Sequence, residues 1–152
     1  MFEEKIKQMG VTIPEAAKPL AAYITAIQID NLVMTSGQIP IISGIVKYTG
    51  KLGSDISEEK GKEAAKLCAM NCLGAIKSVI GSLDKIKRIV KLTVFVNSAT
   101  GFTDQPKVAN GASEFIVEIF GDAGKHVRSA VGVSELPLNS AVEIEMIVEV
   151  SS

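Results

Sequence analysis

The chain has 152 residues, of which 47% are hydrophobic and 22% charged, and we interpret residues 1–152 as one globular domain. A formal net charge of −1 predicts no general attraction to nucleic acid or to anionic membranes, and no apolar run approaches the ~20 residues that span a bilayer. The first residues lack the apolar centre of a signal peptide, and the two cysteines form neither a disulfide framework nor a zinc motif, which predicts a cytoplasmic location.

The first third of the chain predicts a short helix followed by a β-hairpin. Charged and apolar residues alternate at helical spacing over residues 2–9, which indicates an amphipathic helix. Prolines within residues 11–18 and directly after them predict irregular backbone. Two apolar segments, 22–29 and 32–38, flank an Asp-Asn pair, which predicts two antiparallel strands joined by a tight turn.

A long connection and a long helix come next. Residues 39–56 are rich in Gly and Pro, with a short β-like segment at 44–48, and ordered loops of this length are often functional. The sequence DISE at 55–58 resembles a capping box and predicts a helix of about six turns that runs to roughly residue 82. Its apolar stripe includes Cys68 and Cys72, which we interpret as small core residues; a redox pair is the alternative.

The second half of the chain predicts a strand, a helix and two further strands. Residues 87–96 have a strong strand pattern, and a helix follows between Pro106 and Gly121. Residues 127–146 predict two strands joined at a Leu-Pro pair. This order of elements predicts an α+β fold in which two helices cover one face of the sheet.

Alternation in the first of these last two strands places Arg128 on one face with the small residues Ala130 and Gly132, opposite a row of valines. An inward guanidinium must be paired, because an unpaired buried charge is very costly. Glu143 in the following strand is a candidate partner, which would make a structural ion pair. The alternative is that Arg128 binds the carboxylate of a small substrate through its forked donors. Spacing alone leaves both interpretations open.

The other candidate groups favour structural roles. His126 is the only histidine, and we interpret it as a residue at the start of the strand, near the site entrance. A basic cluster around Asp84 could contact RNA phosphates, although such a cluster is usually a solvated strand end; it comprises Lys85, Lys87, Arg88 and Lys91. The sequence contains no phosphate-binding glycine loop and no metal-binding motif, so no metal site is predicted.

Several short motifs together resemble the Rid family, whose members are also called YjgF-like or endoribonuclease L-PSP proteins. The motifs are TSGQIP (35–40), TVFV (93–96), RSAVGV (128–133), LP (136–137) and VEIE (142–145). Tyr23 and Asn110 stand where the family has a tyrosine and an asparagine. The resemblance covers most of the chain, from about Leu20 to Val150.

The resemblance implies a chorismate-mutase-like α+β fold with a mixed β-sheet, and a homotrimer with three clefts between neighbouring subunits. It also implies hydrolysis of small enamine or imine intermediates, such as 2-aminoacrylate and 2-aminocrotonate, to 2-keto acids and ammonia, without a metal or an organic cofactor. One alternative is an endoribonuclease or translation inhibitor, for which the slight negative charge and few aromatic residues give no support. The other is a non-catalytic module that binds small carboxylic acids.

The resemblance also implies a role for each site residue. Arg128 would hold the substrate carboxylate, and Glu143 would orient a water molecule or transfer a proton. The residues expected to line the cleft are Tyr23, Ser36, Asn110 and Ala130. Many members have a cysteine where this chain has Ala130, so a role for a thiol is excluded at that position. An extended N-terminus and a longer connection after residue 40 predict a divergent subgroup with its own substrate preference.

Overall fold

The computed structural model describes residues 1–16 and 21–151. Within these residues the helices and strands, in chain order, are α1 (Phe2–Gln8), β1 (Ala26–Ile29), β2 (Leu32–Thr35), β3 (Ile41–Ile42), β4 (Ile45–Val46), α2 (Glu58–Ile80), β5 (Ile86–Asn97), α3 (Gln105–Phe120), β6 (Val127–Val133) and β7 (Val142–Val150). The segment 11–18, predicted to be irregular, lies partly outside the described residues; its described part, 11–16, contains neither helix nor strand.

Five strands form one mixed sheet in the order β1-β2-β7-β5-β6. All neighbours pair antiparallel except β5 and β6, which are parallel. Parallel neighbours need a crossover connection, and α3 provides it. Strands β6 and β7 follow one another in the sequence, but β5 lies between them in the sheet. The short strands β3 and β4 form a separate hairpin.

Helices α2 and α3 pack on one face of the five-stranded sheet, which confirms the predicted α+β arrangement. The helix-facing side chains of the two central strands are almost completely buried: Leu92, Val94 and Val96 of β5, and Ile144, Met146 and Val148 of β7. The residues that alternate with them on β7 include three glutamates, which project from the opposite face. The core therefore lies between the helices and one side of the sheet.

Small side chains allow α2 to lie close to β7. The Sγ atom of Cys68 is 3.5 Å from the carbonyl oxygen of Val142, and that of Cys72 is 3.3 Å from the carbonyl oxygen of Ile144. Burial raises the pKa of both thiols, that of Cys72 to about 12, so both remain protonated at neutral pH. The interpretation of the two cysteines as core residues is confirmed, and the redox alternative has no accessible thiolate to support it.

The predicted hairpin is confirmed, but its strands are shorter than expected. Ile29 pairs with Leu32 across the two-residue turn. Strand β1 begins at Ala26 and not at residue 22, and β2 ends at Thr35 and not at residue 38. Beyond β2 the backbone of Gln38 pairs with β7 instead, through two hydrogen bonds with Ile144 of 2.8 and 2.9 Å.

Helix α2 begins two residues later than the capping box at 55–58 predicts. Ser57 is the N-cap residue, and its side chain accepts a hydrogen bond from the backbone N–H of Lys60 at 3.2 Å. The Asp55 carboxylate accepts a hydrogen bond from the backbone N–H of Lys51 at 3.0 Å, and so stabilises the turn before the helix. Of the β-like segment predicted at 44–48, only Ile45–Val46 forms a strand, as β4 of the β3–β4 hairpin that begins at Ile41.

Candidate functional site

Arg128 lies on the edge strand β6, and its side chain projects from the helix-covered face. It pairs in register with Leu92 of β5, whose side chain is fully buried beneath the helices. The alternate residues Val127 and Val131 are 64% and 44% exposed on the other face. The predicted alternation is therefore confirmed, and Arg128 is half-buried against α3.

Two residues of α3 hold the Arg128 guanidinium. Its Nη1 donates to Asn110 Oδ1 at 2.9 Å and to Ser113 Oγ at 3.1 Å. These two bonds use both N–H groups of Nη1. Nothing in residues 1–16 and 21–151 accepts a hydrogen bond from Nε or Nη2. The Nε–Nη2 edge therefore presents two parallel donors, the arrangement that binds a carboxylate in bidentate fashion.

The charge of Arg128 is not neutralised within the described part of the chain. Both partners of Nη1 are neutral side chains, and none of the ion pairs between described residues includes Arg128. A half-buried cation without a counter-charge is costly unless another molecule supplies one. This local electrostatic demand favours an anionic ligand or a residue of another chain beside Arg128.

Ala130 follows Arg128 on the same face of β6 and is half-buried against the core. Its methyl group brings neither a hydrogen-bond donor nor a nucleophile to the surface beside the guanidinium. The polar groups next to Arg128 on this face come from α3, and Asn110 is the one expected from the family motifs.

A second group of candidate residues lies where β2 approaches β7. The Ser36 hydroxyl donates to the carbonyl oxygen of Ile24, and its backbone N–H donates to the carbonyl oxygen of Thr25 at 2.8 Å. A β-carbon on Gly37 would lie 2.8 Å from Cδ of Glu143 and still closer to its Oε2. The Glu143 carboxylate therefore lies directly against the Gly37 backbone, beside Ser36, and only a glycine leaves room for it.

The environment of Glu143 disfavours its negative charge. Burial raises the pKa of this half-buried carboxyl above its usual value, and the neighbouring charge of Glu145 raises it further. No described residue forms an ion pair with it. A carboxyl with a raised pKa can both accept and donate a proton closer to neutral pH than an exposed glutamate can.

The two groups lie on opposite faces of the sheet in one chain. Arg128 pairs with Leu92 and Glu143 pairs with Phe95, and directly paired residues share a face. Leu92 and Phe95 are three residues apart on β5, so their side chains project in opposite directions. An ion pair between Arg128 and Glu143 of the same chain is therefore excluded, which corrects the first of the two interpretations of Arg128.

Tyr23, which the family resemblance places in the cleft, is held by no hydrogen bond among the described residues. It precedes β1, is 58% exposed, and donates no hydrogen bond to a described residue. The structure thus brings together Asn110, Arg128 and Ala130 on one face, and Ser36 and Glu143 on the other.

Ser113 is a polar neighbour of Arg128 that neither the strand alternation nor the family motifs predict. It lies three residues after Asn110, and side chains three apart on a helix share a face. A search of the predicted helix for a second polar residue at this spacing would have found it. His126 also joins this group, because its Nε2 lies 2.9 Å from Ser113 Oγ.

The basic cluster around Asp84 makes polar contacts with other parts of the chain. In the basic cluster, Lys87 lies 3.9 Å from the Glu149 carboxylate, and Asp84 accepts hydrogen bonds from the first backbone N–H groups of α1. A cavity of about 660 Å³ lies between residues 12–16 and the β3–β4 hairpin, on a different part of the molecule from Arg128. Among residues 1–16 and 21–151, no cluster of three metal-ligating side chains occurs, and none of the helices combines the length and hydropathy of a bilayer span.

The mixed sheet with two helices on one face is the architecture of the chorismate-mutase-like proteins. The family described as "YjgF/chorismate_mutase-like, putative endoribonuclease" matches residues 3–150. The chain therefore belongs to the YjgF family, as its motifs indicate.

Relatives with related sequences have different names. Protein TCP17 of Trypanosoma cruzi is 39% identical over 148 residues, which cover 97% of this chain and 92% of the relative. A 2-iminobutanoate/2-iminopropanoate deaminase of Dermatophagoides farinae is 30% identical over 138 residues, which cover 91% of this chain and 93% of the relative.

Solved structures extend the same comparison. The protein Atu1372 of Agrobacterium tumefaciens is 40% identical, with a TM-score of 0.90 over 99% of this chain and 94% of that protein. Escherichia coli TdcF with bound serine is 25% identical, with a TM-score of 0.66 over 90% of this chain and 94% of that protein.

Proposed function

We propose that the protein hydrolyses small 2-imino acids and their enamine tautomers to 2-keto acids and ammonia. The observation that carries this proposal is the Nε–Nη2 edge of Arg128, a half-buried pair of parallel donors without a counter-charge in the described chain. A small organic carboxylate fits such an edge in size and geometry. The deaminase among the relatives, at 30% identity, supports this choice of substrate class.

The reaction requires positioning more than it requires a strong nucleophile. The imine carbon next to the substrate carboxylate is electrophilic, so water adds to it and forms a carbinolamine. Transfer of a proton to nitrogen then allows ammonia to leave as the carbonyl bond forms. Water is consumed and ammonia is released, and no electrons are exchanged with a cofactor. Arg128 fixes the substrate by its carboxylate, which places the carbon for attack.

Glu143 is the group we assign to proton transfer. Its raised pKa suits a carboxylate that takes a proton from the attacking water and returns it to the nitrogen of the intermediate. Ser36 lies beside it and, with Tyr23, would orient the substrate. Asn110 holds the guanidinium on the other side of the site.

The complete site would form between two copies of the chain. In one copy Arg128 and Glu143 project from opposite faces of the sheet, so they cannot act on one substrate together. The homotrimer that the family resemblance implies would place the Arg128 edge of one copy against the Ser36–Glu143 group of the next. The exposed apolar side chains Val127 and Val131 of the edge strand support contact with another copy.

A second candidate function is the binding of small carboxylic acids without catalysis. The bound serine in TdcF supports the recognition of small carboxylates within this family. Such a module would need Arg128 but would have no use for the proton chemistry of Glu143. The two functions therefore differ in their dependence on Glu143.

A coupled assay tests the proposal. A threonine or serine dehydratase supplies the imine in the presence of semicarbazide, which traps the imine, and the formation of 2-keto acid is followed with and without the protein. We expect the protein to speed keto acid formation, and Glu143→Gln to lower the rate about 100-fold while 2-oxobutanoate still binds. Glu149→Gln, a change on the same face of β7 far from Gly37, is the matched control and should keep the wild-type rate.

Two results would redirect the assignment. Binding of 2-oxobutanoate without any acceleration would favour the binding module. Cleavage of RNA that survives Arg128→Ala, together with no response to imines, would favour the endoribonuclease activity that the family description names.

A further inference from the structure

Ser113 and His126 form a hydrogen-bonded chain behind Arg128. Ser113 Oγ accepts from Arg128 Nη1 at 3.1 Å and lies 2.9 Å from His126 Nε2. The other ring nitrogen, His126 Nδ1, lies 2.6 Å from the carbonyl oxygen of Gly124. The chain thus connects the guanidinium on β6, the α3 helix and the short 3₁₀ turn at Gly121–Gly124.

The Gly124 carbonyl and a neutral imidazole together fix the direction of each hydrogen bond. The Gly124 carbonyl can only accept, so Nδ1 of the histidine carries the hydrogen. In the neutral ring Nε2 is then an acceptor, and the Ser113 hydroxyl must donate to it. The oxygen of that hydroxyl keeps its lone pairs for the N–H of Arg128. One oriented chain therefore runs from Arg128 through Ser113 and His126 to Gly124.

Ser113 is not used in the way that serines inside helices commonly are. A helical serine often donates its hydroxyl to the carbonyl four residues earlier on its own helix. Here the hydroxyl bonds to Arg128 on β6 and to His126, which directly precedes β6. None of its described partners belongs to α3. Since Asn110 and Ser113 together occupy both N–H groups of Nη1, they decide which edge of the guanidinium remains for a ligand.

We propose that Ser113 and His126 are positioning residues for Arg128, which orient its Nε–Nη2 edge toward the carboxylate of the ligand. This inference rests on the proposed function for the nature of that ligand. His126 acts through Ser113, because it fixes the direction of the hydroxyl and prevents it from turning to the α3 backbone. Both residues act through Arg128 in this proposal, so neither is a catalytic residue.

The first test needs no ligand. The sequence has two arginines, Arg88 and Arg128, and one histidine, so side-chain NMR signals are few and easily assigned. In the wild type we expect separate signals from Nη1 and Nη2 of Arg128, because two bonds to Nη1 slow rotation of the guanidinium. Ser113→Ala should merge these signals, and Ser113→Thr, which keeps the hydroxyl, should restore them. Unchanged, separate signals in Ser113→Ala would overturn the positioning role.

The second test measures carboxylate binding. We expect Ser113→Ala and His126→Ala each to weaken the binding of 2-oxobutanoate about fivefold, as for loss of one hydrogen bond, and Ser113→Thr to bind nearly as the wild type does. Ser78→Ala is the matched control, since that serine on α2 donates to the Ala75 carbonyl and to no other described residue. Thermal unfolding of each variant identifies a change that acts only through stability.

The outcomes separate this inference from the proposed function. If Arg128→Ala abolishes binding and Ser113→Ala binds as tightly as the wild type, the positioning role is wrong and the function stands. If the wild type binds no 2-oxo acid although its Arg128 signals depend on Ser113, the proposed ligand is wrong and the orientation of the guanidinium by Ser113 stands.

Discussion

Arg128 and Glu143 both project from the sheet, but their surroundings differ in how they affect the charged group. Hydrogen bonds hold the charged guanidinium of Arg128, whereas the environment of Glu143 disfavours its negative charge. Around Arg128, two neutral oxygens from α3 accept hydrogen bonds and fix a permanent cation. Around Glu143, burial and the nearby Glu145 raise the pKa of the carboxyl, so the carboxylate is protonated more readily than an exposed one. One group is suited to hold a ligand and the other to exchange a proton, and the sheet keeps the two apart within a chain.

If Arg128 holds the ligand and Glu143 exchanges a proton, removing Arg128 should have the largest effect. Arg128→Ala should lower kcat/KM for imine hydrolysis at least about 1000-fold and abolish binding of 2-oxobutanoate, because two charge-assisted hydrogen bonds are lost. Arg128→Lys should recover little, since an ammonium cannot make the paired contact. Steady-state kinetics and calorimetry measure both quantities, with the exposed Arg88→Ala as control. If Arg128→Ala binds 2-oxobutanoate with wild-type affinity, the ligand does not bind at Arg128.

Mixing two inactive variants tests whether the two groups come from different copies. Arg128→Ala and Glu143→Ala chains, refolded together in equal amounts, should form some sites with both residues intact. Random pairing of copies in a ring gives roughly one quarter of wild-type activity. Each variant refolded alone is the control. If the mixture stays as inactive as its components, the two residues do not share a site between copies.

Gly37→Ala disturbs only the group around Glu143. The added methyl would displace the carboxylate, which is the flexible end of a side chain, so we expect about a tenfold lower kcat with nearly unchanged ligand binding and unfolding temperature. In a Glu143→Ala background the same change should have no further effect on the rate. A marked loss of 2-oxobutanoate affinity in Gly37→Ala would show that the two groups are not separable.

The smallest expected effect is on stability. Because the folded-state pKa of Glu143 is raised above its usual value of 4.5, the folded state binds this proton more tightly than the unfolded state does. Stability therefore falls as pH rises from that value to the raised pKa, and the cost persists at higher pH. Glu143→Gln should raise the unfolding temperature by about 1–2 °C at pH 7, with the gain fading toward pH 4. A lower unfolding temperature at pH 7 would contradict this assignment of the pKa.

Much of the fold could be predicted from local patterns. The Asp-Asn pair between apolar segments located the hairpin turn, and the apolar stripe located α2. The boundaries were less predictable, because they depend on contacts distant in sequence. Residues 22–25 have a strand-like composition, yet regular pairing stops at Thr35, where Ser36 bonds back to Ile24 and Thr25.

The candidate site could be predicted only in part, for a topological reason. Alternation correctly placed Arg128 on the face of its strand opposite the valines. It could not relate that face to Glu143, because β5 enters between the two strands and sets the register of each. Because β6 and β7 are adjacent in sequence, Arg128 and Glu143 were predicted as a possible direct pair. The sheet order shows that β5 separates the two strands. Ser113 was not predicted, because neither the family motifs nor the alternation in β6 shows which residues of α3 contact Arg128.

The two cysteines determine how the protein responds to reactive small molecules. Peroxides and alkylating agents attack the thiolate, and a buried thiol with a pKa near 12 supplies almost none at neutral pH. With alanine at position 130, no sulfur lies on β6 beside the guanidinium either. Iodoacetamide should therefore leave the native protein intact and label it only when the chain opens. The rate of labelling would then report the rate at which the chain opens and exposes the two thiols.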